Sequence, residues 1–294
     1  MPWYQLEDAH DPKLDELARQ YDLHPLHIED ARNEDEGVKV DSAPHYTFAV
    51  FKPVRLVPDP DNAGEQMPSF SPIDIFAGKD FLITISDPAC SASEQALQRA
   101  RRDGDDEHPG KMLSLILDTI VDLYFPAIDH FDERIDELED KVFDDPSPSI
   151  LQSVFAIKRE LIDLRRVLVN TRDASLHLQR DPNSIIDTEH QPYVRDTYDH
   201  IARLLDSVET QRDLLNNTLD IYLSSVANRT NEVMKVLTVL GTIALPAIAI
   251  SGIYGMNVKG LPFEDSAYGA EWVGGITLVT TALLLYLLRR LKWL

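Results

Sequence analysis

Two stretches near the C-terminal end are free of charge. Residues 236–258 read VLTVLGTIALPAIAISGIYGMNV, and residues 272–288 read WVGGITLVTTALLLYLL. At about 1.5 Å per helical residue the first run reaches roughly 34 Å, enough to cross a bilayer core of about 30 Å. The second is at the short limit for a span, but Trp272 and Trp293 supply the aromatic ends that suit interface anchoring. Two such runs joined by a short loop predict a membrane hairpin. Arg229 and Lys235 precede the first run, and Arg289, Arg290 and Lys292 follow the second. The loop between holds Lys259 against Glu264, Asp265 and Glu271. The positive-inside rule then puts both termini in the cytoplasm and the acidic loop outside. The first 36 residues are rich in Asp and Glu and lack an apolar stretch, so no signal peptide is expected.

Before the spans the pattern changes twice. Asp11-Pro12 and His24-Pro25 each read as a cap followed by Pro at the first helical position, predicting two short helices. Strand-like runs follow at 38–40, 45–51, 71–78 and 80–86, the last two joined by Gly78-Lys79 as a hairpin. This predicts a small α+β domain with a mixed sheet. After Pro88 the chain reads as helices over 91–102, 109–143 and 149–179, with Asp144-Asp145-Pro146 as a break.

A last helix starts at Pro192 and meets no stop before Gly241. Apolar residues recur every seven positions at Val194, Ile201, Val208, Leu215 and Tyr222. A second set lies four further on, at Tyr198, Leu205, Leu219, Val226 and Val233, with Arg212 as the exception. This heptad seam predicts packing along the whole helix, which then enters the first span without a break. Another stripe on the same helix joins Asp220, Ser224, Ala227, Asn231, Met234, Gly241, Leu245, Ile248 and Gly252. Several copies of this face around an axis would enclose a pore. Close helix packing through the small residues is the other reading.

Composition sharpens the picture. The 294 residues carry 50 acidic and 28 basic side chains, a net charge of −22. A nucleic-acid binder needs a basic stripe, so that class is excluded, and cations or basic partners are favoured. The mean hydropathy of −0.22 looks soluble only because the apolar residues are concentrated at one end. The single cysteine, Cys90, excludes an internal disulfide and a cysteine-based zinc cluster. Between Asp118 and Asp145 eleven acidic residues face two basic ones, which reads as a solvated helix face or as a surface gathering divalent cations. The segment GDDEHPGKM, 104–112, fails as a phosphate loop. Five residues separate its glycines, Met112 stands where a hydroxyl should hold Mg²⁺, and no strand precedes it. No nucleophile–base set stands out, so no enzymatic activity is expected.

GIYGMN at 252–257 closes the first span. With the stretch 222–238, HPLHIEDARN at 24–33, DIFAGKDFLITIS at 74–86 and FDERIDELEDKVF at 131–143, it resembles the CorA-type divalent-cation transporters, a two-span family with a Gly-Met-Asn signature. The resemblance covers essentially the whole chain. It implies a funnel-shaped homopentamer in bacterial or archaeal inner membrane lipid, importing Mg²⁺ down its electrochemical gradient, with Co²⁺ and Ni²⁺ as further cargo. Residues 1–190 would form a cytoplasmic αβα domain with an acidic helical hairpin. Residues 191–254 would be the stalk helix continuing into the first span, 255–271 the extracytoplasmic signature loop, and 272–294 the second span and basic tail.

By the same resemblance Gly255, Met256 and Asn257 form the outer mouth. Amide oxygens of Asn257 would accept hydrogen bonds from the water shell that Mg²⁺ sheds reluctantly. Glu264, Asp265 and Glu271 would attract cations to it. The pore line would include Asn231, Met234, Leu237, Leu245 and Gly252, with Asp220 near the inner mouth and Met234 with Leu237 as the hydrophobic gate. Leu245 and Ile248 stand where the family is expected to carry a methionine and a threonine, which makes mid-pore more apolar. Asp196 matches the stalk carboxylate of an intracellular Mg²⁺ sensor, partnered across subunits by Asp59 or Asp61. The alternative reading keeps the fold and changes the ion: a zinc or other transition-metal transporter of the same superfamily, coupled to protons. The intact signature favours Mg²⁺. A membrane-anchored sensor without flux is a third class. His24 and His27, the only close histidine pair, read as structural.

Overall fold

The computed structural model describes the chain except residues 34, 61–63, 89–93, 96–97, 100–101, 103–107, 145, 257–259, 263–266 and 292–294. At 143 and 144 it describes only the backbone. The described chain forms two compact units, Met1–Leu219 and Asp220–Leu294.

In the first unit, helix α1 (Pro12–Gln20) starts where the Asp11 carboxylate accepts the Lys13 amide. Helix α2 (Pro25–Ala31) starts where His24 accepts the Leu26 amide. His27 is held between Phe48, on which it stacks, and the Tyr46 hydroxyl at 2.8 Å, so both histidines serve the fold. Strands β1 (Trp3–Leu6), β2 (Lys39–Ser42), β3 (Tyr46–Phe51), β6 (Ile73–Gly78) and β7 (Leu82–Ser86) form one sheet in the order β1-β7-β6-β3-β2. β1 runs parallel to β7 and the other pairings are antiparallel. β4 (Val54–Pro58) and β5 (Gln66–Phe70) form a separate ribbon.

Three of these strands lie outside the alternation read from sequence. In β1 only Leu6 is buried, so its four residues show no periodicity. β4 and β5 contain Pro58 and Pro68, which demote a run as a strand except at an unpaired edge such as a two-stranded ribbon offers. One sheet face packs Phe48, Val50, Phe76 and Ile83 against Leu14, Leu17 and Ile28 of the two short helices. On the other side, helix α3 (Pro109–Asp122) packs on β6 and helix α5 (Pro148–Arg180) on β2, giving αβα layers.

The long helix expected over 109–143 is two, α3 and α4 (Tyr124–Asp144), parted at Leu123. Pro126 explains the break: it has no N–H to offer the Asp122 carbonyl. The helix expected over 91–102 falls partly outside the described residues. Those described there, Glu94, Gln95, Gln98, Arg99 and Arg102, are helical. Gly110, in the segment that fails as a phosphate loop, lies inside α3. A Cβ at that position would come within 2.3 Å of the Ile185 carbonyl oxygen, so glycine is there for close backbone approach.

Helix α6 (Gln191–Tyr254) runs 64 residues. Its heptad seam differs from the expected one. Val194, Ile201, Val208 and Leu215 are buried as expected, but the second buried set lies three positions on, at Thr197, Leu204, Gln211 and Thr218. Three of those four are polar, which hid them from a hydrophobic reading. Each has a side-chain contact to the α3–α4 segment, and the two threonine hydroxyls also bond back to their own helix, Thr197 to the Tyr193 carbonyl at 3.0 Å and Thr218 to the Leu214 carbonyl at 2.8 Å. Thr197 Oγ1 donates to Asp118 at 3.4 Å, Gln211 Nε2 to Asp132 at 2.8 Å, and Thr218 Oγ1 to Glu139 at 3.2 Å. Each pair is 79 residues apart. A constant separation means that α6 and the α3–α4 segment run parallel in one register.

The second unit contains the rest of α6 and helix α7 (Gly269–Arg290). Both helices are long and apolar enough to cross a membrane, and only 6% of each apolar window is buried in the chain itself. Hydroxyls in these stretches bond back to the preceding turn, Thr238 to Met234, Thr242 to Thr238 and Ser251 to Ala247. That satisfies them without water, as hydrocarbon surroundings require.

Candidate ion sites in the two units

In the first unit, the expected sensor residue Asp196 does not stand alone. One turn further along α6, His200 Nε2 lies 3.5 Å from its carboxylate. Ligand atoms of His200, Asp118 and Asp122 all lie within 4.8 Å of one another. Asp118 also accepts from Arg99 at 2.6 Å. Burial pushes the Asp122 carboxyl above the ordinary carboxylate range, and the charge of Asp118 beside it adds to the shift. His200 Nδ1 is buried without a hydrogen-bond partner. Two carboxylates, a third nearby and an imidazole form a donor set for a divalent cation. The oxygens suit Mg²⁺, and the imidazole extends the range to Co²⁺, Ni²⁺ and Zn²⁺.

The grouping of Asp118, Asp122 and His200 was not readable from sequence. The signal available was the heptad match between the two helices, and it is visible only once Thr197, Gln211 and Thr218 are accepted as buried. Asp59 is not in this cluster. It sits at the β4–β5 turn, where its amide donates to the Glu65 carbonyl at 2.9 Å. Asp61 lies outside the described residues.

In the second unit, Asp220, Asn231, Met234, Leu237, Leu245 and Gly252 are all exposed on the single chain, Met234, Leu237 and Leu245 at 55%, 61% and 64%. Apolar side chains this open along a helix need lipid or further protein against them. The helix ends tightly at the signature. The Gly255 amide donates to the Ser251 carbonyl at 2.8 Å, and a Cβ on Gly255 would sit 2.9 Å from that same oxygen. The Tyr254 hydroxyl donates to the Pro262 carbonyl at 2.8 Å, tying the following loop to the helix end. Met256 is exposed at the helix end. Asn257, Glu264 and Asp265 lie outside the described residues. Glu271 is in the first turn of α7, where an acidic group suits the helix dipole.

The CorA-like Mg²⁺ transporter protein family matches residues 1–290 of this sequence. The chain belongs to that family. It is therefore a membrane protein with two C-terminal apolar helices and a metal-ion transporter, not an enzyme. Among CorA relatives, the cobalt/magnesium transport protein CorA of Thermotoga maritima is 32% identical over 277 residues, covering 93% of this chain and 78% of that protein. The complete structure of the CorA magnesium transporter from Methanocaldococcus jannaschii superposes with a TM-score of 0.83 at 24% identity. It covers 99% of this chain and 91% of that one, and shows the same fold. The cytoplasmic domain of ZntB from Vibrio parahaemolyticus is a more distant fold match, with a TM-score of 0.61 at 14% identity over 79% of this chain and 89% of that one.

Proposed function

We propose that this CorA-family protein conducts Mg²⁺ inward across the cell membrane as a homopentamer, with both termini cytoplasmic. The observation that carries the reading is the intact Gly255-Met256-Asn257 signature at the end of an apolar helix that is open along its length on the single chain. Five copies of that helix would cover each other and place Asn257 in a ring. Amide oxygens there would hold the hydrated ion by its water shell. Met234 and Leu237 would gate by excluding water. Glu264, Asp265 and Glu271 would raise the local cation concentration outside.

The sensor would be built on Asp196 together with Asp118, Asp122 and His200. Carboxylates repel one another until a divalent cation bridges them, so a high internal Mg²⁺ level favours the closed state. Asp59 or Asp61 of a neighbouring copy would complete the shell.

The test is uptake of Mg²⁺, Co²⁺, Ni²⁺ and Zn²⁺ into liposomes holding the pure protein, with and without a pH gradient. Mg²⁺ uptake that follows the membrane potential and is lost in Asn257→Ala supports the reading. Zn²⁺ uptake that requires the pH gradient, with none for Mg²⁺, replaces it by the transition-metal alternative, which the imidazole of His200 supports. No flux for any ion, with Asn257→Ala indistinguishable from the parent, leaves a sensor without transport.

A further inference from the structure

The N-terminal ends of the same two helices hold a second cluster. His108 caps α3 through Nδ1, which accepts the Lys111 amide at 3.3 Å. Its ring proton is therefore on Nε2, and Nε2 lies 2.7 Å from the Asp187 carboxylate. Asp187 follows His108 by the same 79 residues that separate the hydrogen-bonded pairs further down, so the cluster is part of that parallel register. His190 stacks on His108 with ring centroids 4.7 Å apart. Ligand atoms of all three residues lie within 4.8 Å of one another.

Helix capping and a hydrogen bond to Asp187 account for His108 and Asp187, but not for His190. That residue is only 9% exposed, and its Nδ1 is buried with no hydrogen-bond partner. A buried nitrogen without a partner is costly, and a ligand is one way to satisfy it. The site is also accessible: His108 and Asp187 line a cleft of about 300 Å³ beside Tyr46, Lys79 and Asn183. Two imidazoles and one carboxylate are a nitrogen-rich donor set. Mg²⁺ disfavours such a set, and borderline metals favour it.

We propose that His108, Asp187 and His190 bind a transition-metal dication of the zinc, cobalt and nickel class, at a site separate from the Asp118–Asp122–His200 cluster and independent of the transport reading. At His108 the metal takes the Nε2 lone pair, and the ring stays neutral by carrying its proton on Nδ1. The long contact to the Lys111 amide is given up in exchange. Asp187 changes from hydrogen-bond acceptor to ligand, and water from the cleft completes the coordination shell.

The experiment uses the full chain in detergent micelles with saturating Mg²⁺, titrated with Co²⁺ and followed by its visible absorption, then displaced with Zn²⁺. The expected result is an intensified band from nitrogen-ligated Co²⁺ that survives excess Mg²⁺ and is removed by Zn²⁺. His190→Gln and Asp187→Asn should each weaken Co²⁺ binding by about tenfold or more. A band that persists in both variants overturns the proposal. So does a band abolished by Mg²⁺, or one lost only in Asp122→Asn. Asp187 is 61% exposed and its substitution leaves the core intact, so Asp187→Asn alone decides if His190→Gln fails to fold.

Discussion

The Gln211 carboxamide reaches from α6 to two acceptors on α4, the Ile128 carbonyl at 2.9 Å and the Asp132 carboxylate at 2.8 Å. Its own oxygen is buried without a partner. Gln211 therefore acts as a double donor at a seam position where a coiled coil would carry leucine. Gln211→Ala should lower stability by about 1–3 kcal/mol, the cost of leaving a buried acceptor unpaired. Gln211→Glu should cost more, because it sets a second carboxylate against Asp132. Denaturant unfolding of the full chain, followed by far-UV circular dichroism, checks both; equal stability of all three proteins would refute the pairing.

Gly110 makes a separate prediction. The Cβ of Gly110→Ala would meet backbone at Ile185, which cannot swing away as a side chain can. The expected loss lies at the upper end of about 1–3 kcal/mol. Gly37→Ala, with nothing within 4 Å of the added Cβ, should leave the melting temperature nearly unchanged.

Asp74 lies inside β6, 5% exposed, and burial pushes its carboxyl up to about 8. In the unfolded chain the same group titrates near 4. Between those values the folded state holds a proton that the unfolded state has released. Stability should therefore fall as pH rises from about 4 to about 8, with the loss complete above that. Asp74→Asn cannot ionise and should flatten this slope. Thermal melts at pH 5, 7 and 9 measure it, and parallel pH profiles for parent and variant would refute the assignment.

Asp196→Lys supplies a fixed positive charge beside Asp118, Asp122 and His200. It should mimic a bound cation, favour closure and make liposome flux low and insensitive to internal Mg²⁺. Unchanged Mg²⁺ sensitivity would remove Asp196 from the sensor.

Gly255→Ala should impair uptake without unfolding the first unit. The added Cβ presses on the Ser251 carbonyl that the Gly255 amide needs, so the tight helix end that leads into the signature opens. Flux equal to that of the parent would show that the turn tolerates a side chain.

Much of the fold was legible because its elements bury regular apolar faces. β6 and β7 read as strands and as a hairpin from alternation and Gly78. α6 could be traced from Pro192 because nothing stops it before Gly241, and the interior Pro246 falls in the apolar span, where a proline is tolerated. β1 was missed because its burial has no period, and the parting of α3 from α4 because Pro126 was passed over inside an apolar helical run. Asp196 was singled out only through a family likeness. The residues around it are brought together by a register that depends on two threonines and a glutamine, which a hydrophobic pattern does not count as core. At the mouth, legibility rests on the signature itself, since Asn257 lies beyond the described residues.

The constant separation of 79 residues has a mechanical consequence. Sliding α6 by one helical turn against the α3–α4 segment, about 5.4 Å, would break the pairs at Thr197, Gln211 and Thr218 together. A partial slip therefore gains nothing, and the segment behaves as a splined shaft that its sleeve can carry but not let travel. The last of these teeth is Thr218, and the first unit ends at Leu219. A cation bound at Asp118 and His200 would therefore act on a stretch of α6 that is held in one register as far as Thr218.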